Sequence, residues 1–129
     1  MEVPLRAALV GWLAADPVLA AELNAVAEEA PARAALPWLA LAASASADWS
    51  TKTHRGREVR VALELHCRGD RPDAAALLAN AIEARVESLP RGQCGFAVAG
   101  IQFLRARAEQ RPGNARAVLL EYRFRLIAA

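Results

Sequence analysis

The chain has 129 residues, of which 55% are hydrophobic and 23% charged, and its formal net charge is +2. That is the length of one domain with a real core, far from a disordered composition. So small a cationic excess leaves no chain-wide footprint of a nucleic-acid binder, and two cysteines are too few for a disulfide framework.

Lys52 is the single lysine against fifteen arginines. A GC-rich genome accounts for this bias; selection of guanidinium for bidentate anion contacts is the other reading. Arg105, Arg107, Arg111 and Arg116 form one local cluster and Arg123 and Arg125 another. Glu109 and Glu121 interrupt them, so they read as a solvated strand face. Cys67 and Cys94 are expected to be small buried hydrophobes. Met1-Glu2-Val3-Pro4 lacks the basic start of a secretion signal. The longest uncharged run, Ala34 to Ala47, is too short and too broken by Pro37 and serines to span a bilayer. The expectation is a soluble protein made in a reducing compartment, with no membrane partner.

Leu5, Leu9, Trp12 and Leu13 recur at i, i+4, i+7 and i+8, the stripe of an amphipathic helix. Asp16-Pro17 starts a second helix, with Asp as N-cap and Pro in the first turn. Leu19, Leu23 and Val26 carry it to about Glu29. Pro31 and Pro37 bracket a connector, and Trp38 to Ala42 reads as a strand. Ser44 to Arg55 is polar with little periodicity. It is predicted to be a long loop between antiparallel strands, of a length that is often functional or mobile.

The sequence then alternates. Val59, Val61, Leu63, Leu65 and Cys67 point one way, and Glu58, Arg60, Ala62, Glu64 and His66 the other. This period of two predicts a half-buried strand. Its free face carries both charge signs and no reactive cluster, which suits solvent or a partner better than a catalytic cleft. Arg68-Gly69-Asp70 has the letters of an integrin ligand but reads as a turn. Pro72 opens a third helix, with Ala74, Leu78, Ala81, Ile82 and Leu89 along one side and Asp73, Asn80, Glu83, Arg85 and Glu87 mostly outside it. It ends before Pro90. Two strands follow, Phe96 to Ala108 and Ala115 to Leu126, joined by the turn sequence Arg111-Pro112-Gly113-Asn114. The order α-α-β-β-α-β-β predicts a single α+β domain over residues 1–129. Its mostly antiparallel four-stranded sheet would carry helices on one face in a two-layer sandwich.

Catalytic chemistry finds little support. Cys67, Cys94, His54 and His66 offer no Cys-x-x-Cys pair and no repeated His spacing, so no metal site is predicted. His66 and Cys67 alternate to opposite faces, which separates a Cys–His nucleophile pair. Ser44, Ser46, Ser50, Thr51 and Thr53 lie near His54 without a nucleophile elbow and read as loop hydroxyls on local backbone. Gly92, Gly95 and Gly100 fit no phosphate-binding spacing. No catalytic residue, cofactor or enzymatic activity is therefore predicted. Lys52, His54, Arg55 and Arg57 are the densest basic run, with Trp49 beside them. Such a set can hold single-stranded nucleic acid, but Trp and Arg are also favoured anchors of protein interfaces. Trp49, Lys52, Arg55 and Arg57 are accordingly the predicted interface residues.

Specific segments also match a known family. These are Leu36-Pro37-Trp38-Leu39 leading into the first strand, the loop Asp48-Trp49-Ser50-Thr51-Lys52-Thr53, and Gly56-Arg57-Glu58. The Ala-rich helix after Pro72 and the strand Phe103-Leu104-Arg105-Ala106-Arg107 complete the set. Over nearly its full length the chain resembles the tail completion (tail terminator) family of tailed phages and of the gene transfer agents of alphaproteobacteria. The Asp-Trp-Ser-Thr-Lys-Thr loop and the Phe-Leu-Arg strand point to the gene-transfer-agent branch. One departure is the connector Ala30 to Leu36, which is short and Ala-rich.

The resemblance implies a structural virion protein, made in the bacterial cytoplasm and assembled into the tail of a phage-like particle. It implies a homo-oligomeric ring, usually a hexamer, capping the head-proximal end of the tail tube. The ring would meet the tail tube protein on one side and the head–tail connector or stopper protein on the other, with DNA passing through its channel without specific binding. It implies no cofactor. The competing readings are a head–tail adaptor or stopper, a small nucleic-acid-binding module, and a small hydrolase using His54 or His66.

Overall fold

The computed structural model describes residues 1–31 and 33–129; Ala32, in the connector before the first long strand, lies outside them. Its elements are α1 (Glu2–Ala14), α2 (Pro17–Glu22), β1 (Val26–Ala27), β2 (Trp38–Asp48), β3 (Gly56–Arg68), α3 (Pro72–Glu87), β4 (Gly92–Gln93), β5 (Phe96–Arg111) and β6 (Ala115–Ala128). They build one mixed six-stranded sheet in the order β1-β2-β3-β6-β5-β4. β1 runs parallel to β2, and every other neighbour pair is antiparallel.

The α+β class and the helix-covered face agree with the sequence reading; the mostly antiparallel four-stranded sheet is instead a mixed sheet of six strands. β1 and β4 each comprise two residues, and a two-residue bridge leaves no periodicity to read. The second predicted helix is likewise cut short. Asp16 caps it, accepting a hydrogen bond from the Leu19 N–H. Leu23 is already extended at ψ 136°, where the notional helix should have continued. Asn24 holds the turn that follows: its N–H bonds the Pro37 carbonyl and its side-chain amide donates to the carbonyls of Ala35 and Leu36. Val26 and Ala27 then pair with Leu39 and Ala40.

β2 runs to Asp48, so the predicted loop from Ser44 to Arg55 shrinks to Trp49–Arg55. The Ser-Ala-Ser-Ala-Asp stretch was a period-two pattern without large residues. Ser44, Ser46 and Asp48 occupy the helix side, opposite Val61, Val59 and Arg57 in the ladder.

The core follows from two periodicities meeting. Leu5, Leu9 and Leu13 of α1 are fully buried, as the i, i+4 stripe requires. Val59, Val61, Leu63, Leu65 and Cys67 of β3 and Val118, Leu120, Tyr122, Phe124 and Leu126 of β6 face them. On α3 the buried positions are Ala75, Ala79, Ile82 and Val86; of the predicted stripe Ile82 and Leu89 are buried, while Ala74, Leu78 and Ala81 lie at its margin. Those three are half-buried. Cys67 is buried as expected, whereas Cys94 is exposed.

The helices are locked together by one arginine. Arg85 Nε of α3 donates to the Trp12 carbonyl of α1 at 2.8 Å, and Trp12 Nε1 returns a bond to the Arg85 carbonyl at 2.9 Å. The guanidinium lies 3.5 Å from the Trp12 ring centroid and 3.8 Å from Asp16, the cap of α2. Three helices therefore meet on one planar cation.

Candidate assembly interface

The helix-free face of the sheet is where the sequence placed mixed charge, and the strands deliver it in register. Glu58 stands opposite Arg125, Arg60 opposite Arg123, and Ala62 opposite Glu121. Glu58 meets Arg123 at 3.4 Å and Arg125 at 3.2 Å. Arg105 reaches Glu121 at 2.9 Å and Arg107 reaches Glu109 at 2.6 Å. Arg111 bridges Glu109 and Glu64. Exposed pairs of this kind add little stability each. Their collective effect is to compensate a row of arginines that would otherwise present a strongly cationic sheet.

Two details punctuate this face. Trp38 stacks on His66 at 4.0 Å, and His66 Nε2 lies 3.4 Å from Glu64. A shallow hollow of about 170 Å³ opens between Ala43, Ala45, Arg60, Ala62, Leu104 and Glu121. β2 shifts register between Leu41 and Ala43, and β5 does so between Val98 and Gly100 and between Phe103 and Arg105. Such bulges bend and twist the strands that carry them.

The Trp49–Arg55 loop is tightly tied. Trp49 N–H bonds the Gly56 carbonyl, Thr51 N–H bonds that of His54, and Gly56 N–H bonds Ser50 Oγ. Ala128 N–H bonds the Arg55 carbonyl, pinning the loop to the end of β6. Of the four predicted interface residues, Lys52, Arg55 and Arg57 are exposed and Trp49 is half-buried. All four sit at one end of the sheet, where Arg55 shares one hollow with Trp49 and another with Arg57. Trp49 lies under Arg125 of the open face, 5.3 Å from its guanidinium. Arg57 precedes the outward Glu58 and leans to the helix side, donating to Ser46 Oγ. None of Lys52, Arg55 and Arg57 has a carboxylate within 4 Å among the described residues.

Burial raises the Cys67 thiol above its ordinary pKa. His54 is exposed at the loop tip, bonded to Thr53, far along the β2–β3 ladder from His66, which pairs with Trp38. Burial, aided by Glu83 and Glu87 of α3, raises Tyr122 well above its usual range. Among the described residues no group of three or more His, Cys, Asp or Glu is placed to hold a metal ion. No helix among them is long and apolar enough to cross a membrane.

Sequence reasoning missed the two open edges of the sheet. β1 covers β2 only at Leu39 and Ala40. β4 covers β5 only at Phe96 and Ala97, with Val98 N–H bonded to the Arg91 carbonyl just beyond. Ala42–Asp48 and Ala99–Arg111 therefore run as bare edges. The second was legible as a long strand, but strand order, which decides what is an edge, is not written in any local pattern.

The comparisons with known proteins agree with this architecture. A chain in the structure described as "Virion of native gene transfer agent (GTA) particle" superposes with a TM-score of 0.78 at 25% identity, covering 99% of this chain and 97% of that one. No curated protein matches. The profile of the family described as "Tail completion protein gp17" matches residues 7–127, from the first turns of α1 to the penultimate residue of β6, and the chain belongs to that tail completion family.

Proposed function

We propose that this protein is a non-enzymatic structural component of a phage-like gene transfer agent particle, where it closes the head-proximal end of the tail tube as a homo-oligomeric ring. The observation that carries the reading is the end-to-end fit of the chain onto a subunit of the gene transfer agent virion. The tail tube protein and the head–tail connector are its neighbours in this reading, and DNA passes through the ring. The sheet face supports passage rather than capture. Arg105, Arg107, Arg111, Arg123 and Arg125 all have carboxylate partners, which lowers the counterion release that drives tight phosphate binding.

The test is the mass of the purified chain by light scattering, alone and with the tail tube protein, together with electron microscopy of tube ends. A closed oligomer or capped tubes is the expected result. A monomer that ignores the tube refutes the reading. The unpaired cations Lys52, Arg55 and Arg57 favour one alternative, a nucleic-acid-binding module. It would show as DNA binding by the monomer that weakens steeply with salt.

A further inference from the structure

A sheet with one bare edge can pair once; a sheet with two can pair without end. The edges here differ in character. Ala42–Asp48 reads Ala-Ala-Ser-Ala-Ser-Ala-Asp, with no lysine, no proline and a single charge at its end. Natural proteins protect exposed edges with such features, and this one has only the register shift at its start, between Leu41 and Ala43. Ala99–Arg111 is longer, carries Arg105, Arg107, Glu109 and Arg111, and is bulged twice.

We propose that copies of this chain join by strand addition, the Ala42–Asp48 edge of β2 in one copy pairing antiparallel with the Ala99–Arg111 edge of β5 in the next. The inference rests on the ring reading above and names the surface that would build the ring.

The direction is dictated by the sheet. β2, β3, β6 and β5 alternate in sense, so β2 and β5 are antiparallel within one copy. A rotation that lays copies edge to edge preserves that relation, and head-to-tail pairing is antiparallel as well. The extent is limited by β4, which fills the same column beside Phe96 and Ala97. To clear it, the incoming hairpin slides toward the far end of β5, and Ala42–Asp48 lies against the Phe103–Glu109 stretch.

The bulge between Phe103 and Arg105 makes the faces match in that register. Ala47, Ala45 and Ala43 stand opposite Arg105, Arg107 and Glu109 on the open face. Asp48, Ser46 and Ser44 stand opposite Phe103, Ala106 and Ala108 on the helix side. Long charged side chains on one strand thus lie over alanines on the other. Phe103, 39% exposed and edge-on to Tyr122, gains a cover.

Charge supports the same occupant. The slide brings the loop of the incoming copy to the β5 edge, next to β6, whose Tyr122 lies near enough to Glu83 and Glu87 of α3 to feel their charge. Those two carboxylates have no cation within 4 Å among the described residues, and neither do Lys52, Arg55 and Arg57 have a carboxylate. The unpaired charges of opposite sign within one copy become neighbours between two.

Disulfide trapping tests this directly. In a Cys94→Ser background, chains carrying Ala45→Cys are mixed with chains carrying Arg107→Cys, assembled with the tail tube protein and mildly oxidised. A second mixture combines Ala43→Cys with Glu109→Cys. Both are expected to give a disulfide-linked pair of the two species on a non-reducing gel, whereas Ala45→Cys with Ala106→Cys, on opposite faces, gives none. Light scattering on the same samples separates the two ideas. Oligomers that form without any β2–β5 crosslink overturn strand addition and leave the ring reading intact. Chains that stay monomeric with the tube protein overturn both.

Discussion

Replacing Gly56 by alanine should unfold this protein at a markedly lower temperature, and the reason is local. Gly56 opens β3 where the tied loop crosses the end of β6. A Cβ built there would stand 2.5 Å from the Trp49 carbonyl oxygen and 3.0 Å from that of Leu126. Both obstacles are backbone, so no side-chain rotation relieves them. The chain must part by most of an ångström, and two bonds span that gap: Trp49 N–H to the Gly56 carbonyl and Gly56 N–H to Ser50 Oγ, each 3.0 Å. Overpacking strain of about 1–3 kcal/mol plus roughly 1 kcal/mol for a weakened hydrogen bond gives a loss of ~2–4 kcal/mol. At about 4 °C per kcal/mol for a domain of this size, Tm falls by ~8–16 °C. Thermal unfolding followed by circular dichroism measures it. Gly92→Ala, whose added Cβ meets nothing within 4 Å, is the control and should shift Tm little. Equal melting of Gly56→Ala and wild type would refute the close-approach argument.

Arg85→Ala removes a charge-assisted bond to the Trp12 carbonyl and a cation stacked on its ring, and chemical denaturation should register a loss of about 2–3 kcal/mol. Arg85→Lys should recover little of it, since a point charge cannot reproduce the planar contact. Tyr122 is fully buried and its hydroxyl finds no hydrogen-bond partner among the described residues, so Tyr122→Phe should leave stability unchanged or raise it by about 1 kcal/mol. Because the folded-state pKa of Tyr122 is raised, wild type should also lose stability as pH climbs above the unfolded value near ~10, and the variant should lose less. Glu2 is held below its ordinary pKa first by the Ser44 hydroxyl, then by Ser46. Its contribution is present above the unfolded carboxylate pKa and disappears as pH falls through the lowered value. Urea titrations at neutral and acid pH should show a smaller acid loss for Glu2→Gln than for wild type.

What could be read in advance divides by the range of the physics. The alternation from Val59 to Cys67 and the stripe Leu5, Leu9, Leu13 were legible because each is a local period imposed by one buried face. β2 beyond Ala42 was missed because alanine and serine alternate in size too weakly to mark a face, although the ladder opposite Val61 and Val59 is regular. The early end of α2 was missed because Asn24 stops it through carbonyls at Ala35, Leu36 and Pro37, residues that only the fold brings near. The predicted interface set was found by composition, and composition has no direction: Trp49 turned to Arg125 while Arg57 turned to Ser46.

The same limit bears on how function is encoded here. In the structural role proposed above, what matters is which charges are paired within a copy and which are left for a neighbour. The open face places its carboxylates on the arginines of β5 and β6, reached across strands by Glu58, Glu64 and Glu121 and along β5 by Glu109. Lys52 and Arg55 of the loop and Glu83 and Glu87 of α3 have no opposite charge within 4 Å among the described residues. Unpaired charge costs little while exposed to water, so a free subunit tolerates it. If copies join by strand addition as proposed, it would discourage like-to-like approach of the two edges and favour head-to-tail contact. A protein built this way would be a stable monomer whose surface already specifies the order of its assembly.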